Sequence, residues 1–173
     1  MNVLSASPVI TSARITDLRF PTSEEHHGSD AVHVDPDYSA ACVVLETDGL
    51  AADGRPLEGH GLTFTIGRGN EIVCQAIRSL LPLVMGRSLA SIRADRRGFA
   101  RALAQDSQFR WLGPEKGVMA LATAAIVNAT WDLEARAAGK PLWRLLSEMP
   151  AEELVAAIDF HGIRDELLSL IHI

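Results

Sequence analysis

Near residue 66 the apolar residues of this chain change period, and that switch restricts the fold more than any other feature. Before it they alternate, as in Tyr38 to Thr47, where Ala41, Val43 and Leu45 share one face of a strand. Residues Ile10 to Phe20 read as an earlier strand closed by Pro21, and a third strand runs from about Glu58 to Thr65. Asp48-Gly49 and Asp53-Gly54 punctuate the connection between the last two. Three successive strands predict an antiparallel meander.

After the switch, Ile72, Val73, Ala76, Ile77, Leu80 and Leu81 recur at helical spacing, with Pro82 at the end. Ile92, Phe99 and Leu103 mark a second, more charged helix. A third is expected from Pro114 in its first turn to about Ala138, with Glu115 near the positive end of its dipole. Its alanines at 120, 122, 124, 125 and 129 permit close approach of a neighbour. Gly139 suits a C′ position and Pro141 prevents continuation, so Leu142 to Leu146 starts afresh as a short amphipathic turn. The apolar run Leu154 to Ile158 reads as a strand buried on both faces. Strands first and helices after give the α+β class.

Composition narrows the function. The chain has 173 residues, 47% hydrophobic and 22% charged, which is enough for one domain with a core. A complete eight-stranded α/β barrel takes about 250 residues. A net charge of −6 without a Lys/Arg run argues against nucleic acid. Arg93, Arg96, Arg97 and Arg101 have the spacing of a solvated helix face. Cys42 and Cys74 lie in apolar runs and read as small buried hydrophobes rather than a metal or redox pair. No run is long enough to span a membrane, and Met1 to Ser5 has no signal-peptide pattern, so the cytoplasm is the expected compartment.

The polar segment Thr22 to Asp37 is long for a loop in a compact domain, which suggests a function. His26, His27 and His33 sit there beside Asp30 and Asp35, but without the spacing of metal ligands. The Gly67-Arg68-Gly69 turn reads as loop chemistry, a second segment over the same site, and His60 as structural or exposed.

Several blocks, in order, resemble the acid-sugar dehydratases of the enolase superfamily, mandelate racemase-like branch, and within it the L-fuconate dehydratase family. They are Arg19 to Ser23, Gly28 to Ala31, Asp35 to Ala41, Gly61 to Thr65, Trp111 to Gly117, Ala122 to Ala125, Trp131 to Leu146 and Ile158 to Phe160. The resemblance implies an N-terminal capping domain, a three-stranded meander with a helical bundle, over residues 10–150. It implies the first strand of a barrel at residues 151–160, with residues 1–9 disordered. It further implies a missing C-terminal barrel that would carry a Lys base, a His paired with an Asp, and three carboxylates for Mg²⁺. No catalytic and no metal-binding residue is then expected in this chain. Carried across position by position, the contacts to an acid-sugar substrate fall at Gly28, Ser29, Asp30 and Tyr38. The parent enzyme is expected to be a homo-oligomer, without nucleic-acid or membrane partners.

Past Phe160 the pattern departs from the family. Leu168-Ser169-Leu170-Ile171-His172-Ile173 is what a transposon sequencing adapter encodes in one frame, so residues 161–173 are expected to be a non-native tail. Two readings therefore stand. One is the lid of a sugar-acid dehydratase acting on L-fuconate, or on a relative such as galactonate. The other is a non-catalytic α+β binding or oligomerisation module.

Overall fold

A computed structural model describes residues 7–51, 53–113 and 116–161. The meander is present as three antiparallel strands in the order β1-β2-β3, with β1 at Ile10–Arg19, β2 at Ser39–Leu50 and β3 at Pro56–Thr65. Alternation fixes the faces. Ala13, Ile15 and Asp17 stand level with Leu45, Val43 and Ala41, which stand level with Gly59, Gly61 and Thr63. This is the core side. The opposite side carries Leu18, Leu62 and Phe64, all exposed.

Helices α1 (Asn70–Leu80) and α4 (Val118–Ala137) cover the core side. The small residues of α4 meet glycines of β3. A Cβ on Gly59 would overlap the Ala129 carbonyl, and one on Gly61 would overlap the backbone at Ala125 and Ala129. Backbone therefore lies against backbone there, and Ile77, Leu80, Ile126 and Leu133, each fully buried, belong to the surrounding core. Gly139 has φ 63° just beyond the end of α4, as its C′ role requires.

Several expectations need correction. The second helix is two, α2 (Leu89–Ala94) and α3 (Arg96–Ala104). Asp95 interrupts them with φ −148° and caps α3 by accepting from Gly98 N. Helix α4 begins at Val118; the expected Pro114 start and Glu115 lie outside the described residues. Part of the supposedly disordered N-terminus is ordered: Val9 N donates to Asp48 at 2.7 Å, and Leu89 N donates to the Pro8 carbonyl. Cys74 is buried as expected, but Cys42 is only half-buried, on the outer side of β2. The tail from residue 162 lies outside the described residues.

The largest correction concerns residues 151–160. Leu154 to Ile158 is not a strand buried on both faces. After α5 (Leu142–Ser147), Ala151–Ala157 forms a helix, α6, with Leu154, Val155 and Ile158 exposed. A strand needs a partner for its N–H and C=O groups, and none is at hand among the described residues. A helix satisfies them internally, and Glu152 and Glu153 in its first turn suit the dipole.

The arginine cluster is also not simply solvated. Arg97 is exposed, but the Arg96 side chain is 9% exposed and the Glu134 side chain 6%. Arg96 donates to both carboxylate oxygens of Glu134 (3.1 and 2.6 Å), reaches Glu153 at 2.9 Å and lies 5.1 Å from the Trp131 ring centroid. Together with the two-pronged pair of Arg101 and Asp159, it ties the α6 segment to α3.

Candidate functional site

The loop between β1 and β2 leaves the sheet where Arg19 pairs with Ser39 and Ser39 with Thr65. A buried polar network stiffens that edge. Asn70, fully buried at the start of α1, donates to Asp17 at 2.6 Å and to the Ala40 carbonyl, and accepts from Thr65 at 2.8 Å. Arg19 grips Asp17 with two hydrogen bonds and reaches Glu71. The Arg19 guanidinium, then Asn70, hold the Asp17 carboxyl below the usual carboxylate range. Every polar atom of Asn70 thus has a partner, and the platform under the loop is rigid.

The loop is not structureless. It opens with a 3₁₀ turn, Thr22–Glu25, and His26 follows with φ 54°. Gly28 has φ 76°, and a Cβ there would overlap the Tyr38 hydroxyl, so only glycine fits. The Tyr38 oxygen stands 3.5 Å from the Gly28 carbonyl, and its ring meets Phe64 edge-on at 5.4 Å. Ser29 Oγ donates to the His26 carbonyl at 2.7 Å. Asp30 folds the tip: its Oδ1 accepts from Val32 N and His33 N, both at 2.7 Å, while His33 Nδ1 lies 3.3 Å from Oδ2. Those His33 and Val32 amides keep the Asp30 carboxyl below its ordinary value.

The structure therefore pairs Gly28 with Tyr38 and Asp30 with His33. Among the described residues no hydrogen bond links Ser29 or Asp30 to Tyr38. Phe64, Thr22, Ser23 and Asp37 also shape the region, and sequence reasoning did not single them out. Their partners lie across the loop or on another strand, beyond any local pattern.

A cleft of about 220 Å³ separates the loop from the turn before α1, lined by His33, Asp35, Asp37, Ile66, Gly67 and Arg68. Arg68 stands 3.7 Å from Asp35 across it. A larger cavity of about 630 Å³ lies at the far end of the sheet, beside Arg55, Leu57, His60, Arg136 and Lys140. Arg55, Arg136 and Lys140 are each neutralised by a neighbouring carboxylate there, so size alone does not make it the better site. Among the described residues no group of three His, Cys, Asp or Glu side chains could hold a metal ion, and no helix is long and apolar enough to cross a membrane.

Residues 36–147 match the model of the mandelate racemase / muconate lactonizing enzyme family, N-terminal domain. The chain belongs to that family. Its three strands and helical layer are those of the family's N-terminal domain, part of the enolase superfamily. The chain is 57% identical over 158 residues to mitochondrial enolase superfamily member 1 of Xenopus laevis, covering 91% of this chain and 35% of the relative. It is 50% identical over 158 residues to the L-galactonate dehydratase of Hypocrea jecorina, covering 91% of this chain and 34% of the relative. The crystal structure of the human mitochondrial enolase superfamily member 1 superposes with a TM-score of 0.85 at 51% identity, covering 93% of this chain and 36% of that one. The chain spans about a third of the length of the curated relatives it matches. None of these names specifies L-fuconate.

Proposed function

We propose that this chain is the substrate-recognising portion of a Mg²⁺-dependent acid-sugar dehydratase, with L-fuconate the best single substrate. The product would be 2-keto-3-deoxy-L-fuconate plus water. The relative that acts on L-galactonate supports the sugar-acid class and keeps galactonate as the competing substrate. The observation that carries the reading is the closeness of Gly28, in the exposed polar loop, to Tyr38 at the start of the family-matched segment.

The residues suit hydroxyl recognition. Tyr38 makes only a long contact to the Gly28 carbonyl, so its O–H is available to donate to a ligand. Asp30, an ionised carboxylate, uses Oδ1 for the turn and meets only His33 Nδ1, at 3.3 Å, with Oδ2, which keeps lone pairs to accept from sugar hydroxyls. Ser29 Oγ, donating to His26, keeps its lone pairs as acceptors. Gly28 lets the backbone approach closely. In this reading metal and proton transfer belong to the barrel of the extended protein, over which this loop excludes water.

The helix at residues 151–157 needs no neighbouring strand, which is compatible with the non-catalytic alternative. What still favours a missing partner piece is exposed apolar surface on the last two helices, with Trp143 at 71% and Val155 at 52%. The isolated chain is expected to be poorly soluble and without dehydratase activity; a compact, active monomer would refute this. The downstream coding sequence should supply a Lys-x-Lys pair and three carboxylate-ended strands. In the protein extended through that sequence, Tyr38→Phe and Asp30→Asn should impair L-fuconate turnover without unfolding it. Unchanged kinetics in both would remove these positions from the site. A cytoplasmic location and a homo-oligomeric parent belong to the same proposal. The relatives' names point instead to mitochondria, and imaging the tagged extended protein decides between the compartments.

A further inference from the structure

The loop changes character at a sharp boundary. Residues 24–35 are all exposed, whereas Thr22, Ser23 and Asp37 are half-buried and Pro36 is buried. At that boundary two hydroxyls clamp the stem. Thr22 Oγ1 donates to the Pro36 carbonyl at 2.7 Å and accepts from Tyr38 N at 2.9 Å. Ser23 donates to Asp37 Oδ1 twice, from Oγ at 2.6 Å and from its backbone N at 3.2 Å. Asp37 N in turn donates to the Ile66 carbonyl, and Phe20 N to the Tyr38 carbonyl. Three chain segments therefore meet at one polar junction. Beyond it, among the described residues, segment 24–35 bonds to itself and to its own root. Its exceptions are the long Tyr38–Gly28 contact and the Arg68–Asp35 pair.

We infer that Thr22, Ser23 and Asp37 are positioning residues: they form a fixed hinge at the root of segment 24–35 and hold Tyr38 beside it. This rests on the recognition role proposed above, but its mechanical half does not need substrate. Thr22 uses a single oxygen to join both ends of the loop, so losing that oxygen removes two of the bonds between entry and exit at once. Loss of bonds in the exposed segment would loosen only a turn.

The test uses amide hydrogen exchange on the protein extended through its downstream coding sequence. Thr22→Val, which keeps shape and removes the hydroxyl, and Ser23→Ala should each speed exchange at residues 28–38 by about five- to tenfold. Thr22→Ser, which restores the oxygen, should return it to the wild-type rate. Exchange at α4 amides should not change, which separates hinge loosening from a failure to fold. Unchanged loop exchange, or a Thr22→Ser variant as loose as Thr22→Val, overturns the hinge. In the extended protein, Thr22→Val should raise KM for the sugar acid more than it lowers kcat, with Thr22→Ser restoring both. If the loop loosens and KM stays put, the positioning role fails. A wild-type extended protein that turns over no sugar acid sinks the proposed function instead, and the exchange data still judge the hinge.

Discussion

The Tyr38 hydroxyl occupies the space that a side chain on residue 28 would need, so Gly28 and Tyr38 fit together only as they are. Residue 28 also has φ 76°, a backbone state that costs a residue with a Cβ about 1–2 kcal/mol. Gly28→Ala should therefore displace the Tyr38 ring from Phe64 and disturb the loop locally. Because the loop is exposed, the thermal midpoint should move little. In the extended protein kcat/KM should fall at least about tenfold, as misplaced contacts commonly cost. Steady-state kinetics beside a thermal melt checks both halves, and a variant with wild-type kinetics would refute the pairing.

Gly59 and Gly61 carry a different constraint, since α4 lies directly against their Cα atoms. Gly61→Ala should push helix from sheet and destabilise the fold by about 2–3 kcal/mol, as overpacking does. Gly54→Ala offers a comparison: nothing stands near its Cβ position, so only its φ of 80° is at issue. Urea unfolding of the two variants should rank Gly61→Ala clearly lower.

Breaking the pair of Arg96 and Glu134 by Glu134→Ala should cost about 3–5 kcal/mol, because it strands a guanidinium away from water. Glu134→Gln, which keeps an acceptor near Arg96, should cost much less. Denaturant midpoints for the two variants give the comparison. Equal losses would mean that Trp131 and Glu153 alone satisfy Arg96.

The pair of Arg101 and Asp159 predicts a pH dependence. The Arg101 guanidinium, with the His161 amide, brings the Asp159 carboxyl from its usual 3.8 down to about 2. A folded-state value below the unfolded one gives stabilisation that is complete above about pH 4 and is lost as the pH falls toward 2. Wild type should thus exceed Arg101→Gln at pH 5, and the two should converge by pH 2. Amide exchange within α6, followed across that range, provides the readout. A gap independent of pH would contradict it.

The alternation of Ala41, Val43 and Leu45 and the Gly139 stop could be read directly, because a strand's faces and a helix's end are set within a few residues. The capping-domain fold was legible too, through ordered blocks that the family match then supported. Gly28 and Tyr38 came from the same resemblance, but their contact did not, since ten residues of loop must fold back to create it. Arg96 looked like any surface arginine, for its turn inward depends on Glu134 and Trp131 of another helix. Leu154 to Ile158 shows the limit most clearly. Its apolar letters suit either element, and local periodicity cannot choose between a helix and a buried strand in so short a run. The choice fell to neighbours: without a strand beside it, only a helix could satisfy its backbone. Short-range chemistry was thus written in the sequence, whereas whatever depends on which surfaces meet was decided by the tertiary structure.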